Sequence, residues 1–543
     1  MGRRCLIVFC CALLLLAVGR WAVYYIGAVP FAHVPLEPGN VVVPTERSNA
    51  WKSRSALTDR IVEHWANHSL GDSKYDGKIG APRALTGRFL LKRDLDAANE
   101  YIQAQTPWGR AGSTWALHKE GDYDFTMAGL IPILFLFGDE PDVLYPEARE
   151  HLLDVLLPLE GGNPRSTVPR TLGLVRDTEN HLLMTEGSKY LKNRWLMLHG
   201  STLDKHDNMA NGMEFWILNL IEELHVAGFY EFNSIPYEGY TLTALLNLEA
   251  FGSEAVQSAA RSLLDEHNWK YALGSLSYRR FPPFRRRYSH AKDTSLSGDR
   301  TVPLIKAWMS LLPEASDLSL SGSQHVALWA CWSTYRLPDE TVSWILEKPR
   351  DYFVRMGHGP GGSPEIYSGG PGWLLSAGGV NRGNRSLIVA RPITLLLDDG
   401  ASDLSQVLHL AGPGDDFRKW NNTGVWKDFA VTAGPVHVSR DWKPVAESSY
   451  WKVYRQAGLS IAVYSRADLG IVSLSQSNDP KGLLAIVEQA NADEERLWYA
   501  FRALDGDLIE YDLAAPKNRW VITKINNQTM DRKFDRWPRV EEK

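Results

Sequence analysis

Two adjacent residues at a predicted helix start, Asn180 and His181, carry the first functional signal of the chain. The apolar pattern predicts a helix over Thr178–His199, so both side chains lie in its first turn. A helix N-terminus favours anions because its free N–H groups and its dipole point outward. The alternative interpretation is an ordinary helix start, with Asp177 or Thr178 as the N-cap. The two interpretations are compatible.

A second stretch, Glu231–Tyr240, supplies two phenols, Tyr237 and Tyr240, around a turn that enters a helix. The preceding Pro236 fixes its own φ angle, which would help to aim Tyr237. A tyrosine can act as a general base and then as a general acid when cations lower its pKa from about 10. For either tyrosine alone, packing against the turn is the competing interpretation.

The third stretch is basic. No acidic residue lies between Glu266 and Asp293, whereas seven positive charges do. They are Lys270, Arg279, Arg280, Arg285, Arg286, Arg287 and Lys292. Arginine suits carboxylate binding because its planar guanidinium donates two parallel hydrogen bonds. A solvated loop is the default interpretation for any single arginine.

Together these groups fit β-elimination beside a uronic acid. That reaction removes the proton alpha to a carboxylate, so the site must neutralise the carboxylate and stabilise the negative charge that develops. It must also supply a base, and then an acid for the leaving oxygen. Histidine titrates near neutral pH and also fits either role.

Composition narrows the function classes. The net charge of −5 gives no support for nucleic-acid binding. Only Cys331 lies outside the N-terminal apolar segment, so a cysteine metal site or an internal disulfide framework is excluded there. The histidines outside the motifs lack metal-ligand spacing, and no GxxxxGK[ST] loop is present. We predict neither a metal nor a cofactor.

The N-terminus resembles a targeting segment. Two arginines precede an apolar run of 15 residues, Cys5–Gly19, which Arg20 interrupts. This length fits a secretory signal better than a spanning helix of ~20 residues. We predict that residues 1–34 export the protein to the periplasm, the cell surface or the medium. A retained membrane anchor is the alternative, and would be the only contact with the membrane.

Residues 35–349 are predicted to be helical, because apolar residues recur at helical spacing in about ten segments with short connections. Examples are Asp122–Phe137, Pro146–Leu159, Asp207–Val226, Gly239–Phe251, Ser253–Leu273, Val302–Leu312 and Gln324–Tyr335. Successive paired helices form a bundle, a solenoid or a closed toroid, and no repeat of fixed period supports a regular solenoid.

Residues 350–543 are predicted to be strands. Short β-branched and aromatic runs are bounded by Gly, Pro, Asn or Asp, which is typical of an antiparallel β-sandwich. They include 386–390, 393–397, 429–432, 436–438, 451–454, 459–464, 484–487 and 520–523. The predicted fold class is therefore α+β, with a helical domain followed by a β-sandwich.

This order of domains resembles the (α/α) toroid polysaccharide lyases, which include chondroitin, hyaluronate, alginate and heparinase III-type enzymes. The residues that carry the resemblance are Thr178–His181, Glu231–Tyr240 and Arg285–Arg287. It implies that Asn180 neutralises the substrate carboxylate, that His181 is a neutraliser or base, and that Tyr237 or Tyr240 is the base and acid. It also implies that one of the arginines assists the phenol or the substrate carboxylate. Within the same motifs we expect Glu179 and Asn233 to contact substrate.

The predicted function is cleavage of an acidic polysaccharide by an exported lyase. A toroid glycoside hydrolase is the first alternative, and would need two carboxylates across a cleft. Its candidates are Asp122, Asp124, Asp177, Glu179, Glu222, Glu231 and Glu238. The second alternative is a non-catalytic surface protein that binds acidic glycans, and the third is a toroid that has lost activity.

Overall fold

The structure is a computed structural model, and it describes most of the chain. The described ranges are 2–26, 45–71, 76–114, 120–169, 176–286, 290, 292–320, 325–349, 351–359, 361–380, 387–410, 412, 424–516 and 518–542. Helices fill the first part of the chain and antiparallel sheets the second part. This order confirms the predicted α+β class. The domain boundary at residue 350 stays a prediction. It falls between a helix that ends at Leu346 and a strand that begins at Tyr352.

The helices of the first part span most of its described residues. They are α1 (Gly2–Ile26), α2 (Ala56–Ala66), α3 (Ala81–Leu91), α4 (Leu95–Ala104), α5 (Asp124–Phe137), α6 (Pro146–His151), α7 (Glu179–Leu198), α8 (Met213–Ala227), α9 (Glu238–Phe251), α10 (Glu254–Leu273), α11 (Thr301–Met309), α12 (Leu328–Trp332) and α13 (Asp339–Leu346). No helix within the described part of the chain is both long enough and apolar enough to cross a membrane.

Helix α7 lies against α5 and α9 and is buried along most of its length. Its neighbour α5 is apolar on nearly all sides, as expected for a helix inside the core. Because α7 also carries polar residues, these are placed in the protein interior, where they need partners. The first turns of α5, α7 and α9 therefore determine the site described below.

Three predicted helices, α7, α9 and α10, are found to within one residue at each end. The predicted start of α8 at Asp207 is wrong by six residues. The Asp207 carboxylate instead accepts hydrogen bonds from the backbone N–H groups of Met209 and Ala210 in a turn. Gly212 then adopts a φ of 83° directly before the helix, a conformation that glycine allows at little cost.

Strand β1 (Phe284–Arg286) lies among the helices of the first part, and the second part contains all the other strands and one helix. The strands are β2 (Tyr352–Met356), β3 (Glu365–Gly370), β4 (Trp373–Gly378), β5 (Leu387–Val389), β6 (Arg391–Leu397), β7 (Leu408–Leu410), β8 (Gly424–Trp426), β9 (Phe429–Thr432), β10 (Val436–His437), β11 (Pro444–Glu447), β12 (Trp451–Gln456), β13 (Leu459–Ser465), β14 (Gly470–Ser475), β15 (Ala500–Arg502), β16 (Leu508–Tyr511), β17 (Ile522–Ile525), β18 (Gln528–Thr529) and β19 (Glu541–Glu542). The helix is α14 (Pro480–Ala490).

All of these strands except β5 form three antiparallel sheets. The seven-stranded sheet has the order β10-β7-β6-β4-β3-β2-β19, and the six-stranded sheet the order β11-β12-β13-β14-β9-β8. A four-stranded sheet follows in the order β15-β16-β17-β18. Each neighbouring pair in these sheets is antiparallel.

The seven-stranded sheet is buried on both faces. In β3 and β4, Tyr367 and Leu374 belong to the core of the helices, whereas their neighbours Ile366 and Leu375 belong to a core shared with the six-stranded sheet. Successive side chains of a strand point to opposite faces. One face of this sheet therefore packs against the helices, and the other packs against the second sheet.

Two predictions about single segments are wrong. The segment 484–487, predicted as a strand, lies inside α14, where Asp479 accepts a hydrogen bond from Gly482 N at 2.9 Å and Pro480 occupies the first turn. The arginine-rich segment, which lies in the part of the chain predicted to be helical, contains a strand, β1 (Phe284–Arg286). It pairs antiparallel with β5, which places Arg285 opposite Ile388. Arg285 and Arg286 therefore lie in a strand rather than in a loop.

Candidate active site

The ring of Phe125, in the first turn of α5, lies at the centre of the candidate site. It contacts His181 on α7 edge-on, with ring centroids 5.7 Å apart. It contacts Tyr237 and Tyr240, at the start of α9, in the same way at 6.3 and 4.7 Å. The fold thus brings together three residues that the sequence placed on two separate motifs.

His181 is held by a buried carboxylate. Its Nδ1 lies 2.7 Å from Oδ2 of Asp124, and the two residues are only 8% and 0% exposed. Burial alone would lower the pKa of His181, but the charges of Asp124 and Asp177 outweigh burial and raise it to about 10. The side chain is therefore an imidazolium at neutral pH, with Nδ1 committed to Asp124.

A second acidic residue, Asp122, completes a charge network beside this pair. Its carboxylate accepts hydrogen bonds from Lys78 Nζ at 2.8 Å and from the backbone N–H of Thr114 at 2.7 Å. The Lys78 ammonium also lies 4.1 Å from the centroid of the Phe125 ring. Sequence reasoning missed Lys78 and Phe125 because neither lies in a polar motif.

Ligand-type atoms of Asp122, Asp124 and His181 all lie within 4.8 Å of one another, a spacing at which a metal ion could be held. However, Lys78 already neutralises Asp122, and Asp124 already holds the imidazolium of His181. A metal would have to displace both cations. The observed contacts therefore favour a network of charged side chains over a metal site.

Asn180 precedes His181 and is fully buried. Its Oδ1 accepts a hydrogen bond from the Thr178 hydroxyl. Its Nδ2 has no hydrogen-bond partner within the described residues. A buried amide donor without a partner is uncommon, because it costs about 1–3 kcal/mol. Asn180 therefore has a donor available for an acceptor that the protein itself does not provide.

The half-buried Tyr237 lies under a guanidinium group. The Cζ of Arg286 is 3.9 Å from the centroid of the Tyr237 ring, and Arg286 also donates a hydrogen bond to the Glu231 carboxylate. Burial alone would lower the pKa of Arg286, but Glu231 and Tyr237 outweigh it and raise the pKa. Arg286 thus stays cationic directly over the phenol.

Tyr240 lies deeper than Tyr237 and is only 4% exposed. The guanidinium groups of Arg300 and Arg83 lie 5.7 and 5.9 Å from the centroid of its ring. Arg83 is tied to the backbone through hydrogen bonds to Ile79 and His325. Of the two predicted phenols, Tyr237 is the one closer to solvent.

Glu179, predicted to contact substrate, instead connects two elements of this site. Its Oε1 accepts a hydrogen bond from the backbone N–H of Glu231 at 2.8 Å, which ties α7 to the turn before α9. Burial, and then repulsion by the Glu231 carboxylate, raise the pKa of Glu179 to about 8. Both residues are nearly inaccessible, so neither presents its carboxylate to solvent.

Four of the remaining predicted residues have contacts other than the Phe125 ring. Arg279 donates hydrogen bonds to the backbone oxygens of Leu397 and Ala401. Arg280 pairs with Glu238 at 2.6 Å and also with Asp299. These two arginines, predicted to bind substrate, already have internal partners.

Arg285 lies 4.2 Å from the centroid of the Tyr230 ring, rather than over Tyr237. Asn233 donates hydrogen bonds to Glu365 and to the backbone oxygen of Pro283, both at 3.0 Å. It thereby joins the turn before α9 to strand β3. Arg287 lies outside the described residues.

Comparisons of the chain with protein-family models, with curated proteins and with solved structures found no match.

Proposed function

We propose that the protein is a lyase that cleaves an acidic, uronate-containing polysaccharide by β-elimination. One observation carries the proposal, which is that an imidazolium and a phenol converge on Phe125 while a guanidinium covers the phenol. His181, Tyr237 and Arg286 come from α7, from the start of α9 and from β1. An anion-binding donor beside a phenol that is covered by a cation is what proton abstraction next to a carboxylate requires.

In the proposed reaction, His181 binds the uronate carboxylate and withdraws charge from it. The Nδ2 donor of Asn180 is buried, so in this scheme it reaches the carboxylate through a shift of the first turn of α7 when substrate binds. Tyr237, acting as the base beneath the Arg286 cation, removes the proton from the carbon alpha to the carboxylate. The electron pair forms a double bond to the neighbouring carbon, and the bond from that carbon to the glycosidic oxygen breaks. The phenol formed on Tyr237 then returns its proton to the leaving oxygen, so that no co-reactant is consumed.

The raised pKa of His181 favours one of the two roles predicted for it. An imidazolium with a pKa of about 10 is a poor base at neutral pH, but it is a strong partner for a carboxylate. The proposal therefore assigns neutralisation to His181 and proton transfer to Tyr237. Tyr240, which is more deeply buried, supports the Phe125 ring in this scheme.

The proposal extends to architecture and location. The paired helices around α5, α7 and α9 support an (α/α) toroid, and the core shared by two antiparallel sheets supports a β-sandwich. The apolar side chains of α1 from Leu6 to Val18 are exposed rather than packed on the rest of the protein. An apolar helix that the fold does not use supports export by residues 1–34.

The test uses purified residues 35–543 with a panel of uronate polymers of different linkage. β-Elimination leaves an unsaturated uronate whose conjugated double bond absorbs ultraviolet light, whereas hydrolysis leaves only new reducing ends. We expect absorbance to rise with at least one polymer. We expect Tyr237→Phe to lower kcat by about 10²–10⁴-fold, the usual contribution of a positioned proton-transfer group.

Tyr230→Phe is the matched control, because Tyr230 also lies under an arginine, Arg285. Burial raises the pKa of Tyr230 to about 12, so this residue remains a phenol. The control should keep kcat within a few-fold of the wild type. New reducing ends without absorbance would show that the protein is a hydrolase rather than a lyase. Binding of a polymer without either product would indicate a glycan-binding protein.

A further inference from the structure

A cavity of about 490 Å³ lies in the second part of the chain and shares no residue with the Phe125 cluster. Its floor is formed by Phe353 and Trp373 of the seven-stranded sheet and by Leu459 and Leu474 of the six-stranded sheet. All four side chains are buried. Pockets of ~300–1,000 Å³ with an apolar floor are typical of small-molecule sites, whereas a single water occupies only ~30 Å³.

The walls of this cavity are acidic. Asp351, Asp428 and Asp505 line it, and Lys427 is the lysine among its lining residues. The Lys427 ammonium is already shared between Asp505 at 2.7 Å and Asp507 at 3.0 Å. Asp351 and Asp428 have no ion-pair partner within the described residues. The cavity therefore has more negative charge than its own cation neutralises.

The carboxyl group of Asp428 has a raised pKa. Burial, and then repulsion by Asp505, raise the pKa of its carboxyl group to about 7. A cation placed beside Asp428 would reverse that effect and favour its ionised form.

A buried donor is also left without a partner here. Trp373 is 4% exposed, and its indole N–H has no hydrogen-bond partner within the described part of the chain. Its Nε1 lies 2.7 Å from the point that a Cβ on Gly370 would occupy, and an Asp351 carboxylate oxygen lies 3.0 Å from the same point. A donor and an acceptor thus converge above a glycine that leaves room for them.

We propose that this cavity, the acidic cavity, binds a hexosamine unit, with the ammonium group against Asp428 and the sugar ring on the aromatic floor. Carboxylates beside aromatic rings recognise organic ammonium groups through charge and cation–π attraction. Ser368, Ser475 and Gln476, which also line the cavity, offer partners for ring hydroxyls. The volume favours a sugar over a bare metal ion.

Isothermal titration of residues 35–543 with glucosamine tests the proposal, with glucose and glucuronic acid as probes that share the ring but lack the positive charge. We expect glucosamine to bind at least tenfold more tightly than either. Asp428→Asn should weaken glucosamine binding about tenfold and leave glucose binding unchanged. Asp468→Asn removes an exposed carboxylate in the β13–β14 turn and should change neither.

A second readout separates loss of binding from loss of folding. At pH 6.5, wild-type titrations in buffers of different ionisation enthalpy should show proton release, because Asp428 ionises as the ammonium binds. In Asp428→Asn the release should disappear while the melting temperature without ligand is retained. Equal binding of glucose and glucosamine, an unaffected Asp428→Asn, or no sugar binding at all would overturn the proposal. Stabilisation by Ca²⁺ but not by glucosamine would also overturn it, in favour of an inorganic cation site.

Discussion

The pair of His181 and Asp124 sets the charge state of the candidate site. The sequence predicted that this histidine, beside an asparagine at a helix start, takes part in anion binding. The role of that histidine depends on Asp124, which lies 57 positions away in the chain. Nothing in the local pattern specifies this contact, because it arises from the packing of α5 against α7.

The pair makes stability depend on pH. The pKa of His181 in the folded protein, about 10, exceeds its ordinary value of 6.5. The pair therefore stabilises the fold fully below pH 6.5, and this stabilisation is lost as pH rises through about 10. We expect Asp124→Asn to lower the free energy of unfolding by about 3 kcal/mol at pH 6.5 and by much less at pH 10. Urea denaturation across this pH range measures the difference.

His199 and Asp139 form the matched control pair, since their 2.9 Å contact resembles that of His181 and Asp124. Their side chains are 36% and 73% exposed, so solvent screens the interaction. Asp139→Asn should change stability little at any pH. A loss in Asp124→Asn that does not vary with pH would show that His181 is not held as an imidazolium.

At the scale of elements, strand β1 positions Arg286 and is joined to the turn before α9. The connection is the buried ion pair of Arg286 with Glu231. The backbone N–H of Glu231 in turn donates a hydrogen bond to the Glu179 carboxylate. Removing the arginine would leave the Glu231 carboxylate buried without the cation that it contacts, which is costly. Arg286→Met should therefore destabilise the protein by about 3 kcal/mol in addition to lowering activity.

A double-mutant cycle distinguishes this account from simple loss of packing. Glu231→Gln removes the carboxylate that Arg286 neutralises, so the combination of Glu231→Gln with Arg286→Met should recover about half of the lost stability. Activity should stay low in the double variant, because the cation over Tyr237 is still absent. Additive losses of stability, measured by denaturation, would contradict the assigned ion pair.

The elements that the sequence predicted best are long helices. Helices α7, α9 and α10 were predicted closely because each continues for 14 to 20 residues without a proline. Strand β1 was missed since three residues carry no periodicity, and its pairing with β5 links segments about 100 residues apart. The segment 484–487 was predicted wrongly because its apolar residues fit a strand, whereas the capping residues Asp479 and Pro480 specify a helix.

At the scale of the whole molecule, buried polar contacts join the helices to the sheets. Asn233 donates to Glu365, which also accepts from His358 and Tyr367. Arg539, near the end of the chain, pairs with Glu266 on α10. Burial would raise the pKa of Glu266, but Lys270 and Arg539 outweigh it and hold the pKa well below its ordinary value. Separating the two parts would leave these charges without partners.

This coupling predicts that the helical and sheet parts unfold together. We expect calorimetry of residues 35–543 to show one transition, with equal calorimetric and van't Hoff enthalpies. Arg279→Met should lower the melting temperature or divide the transition into two. The reason is that the Arg279 guanidinium joins the segment after α10 to the end of β6 and the residues that follow, through Leu397, Asp399 and Ala401. Two transitions in the wild type would show that these contacts are too weak to couple the parts, and the predicted boundary near residue 350 would then separate independent folding units.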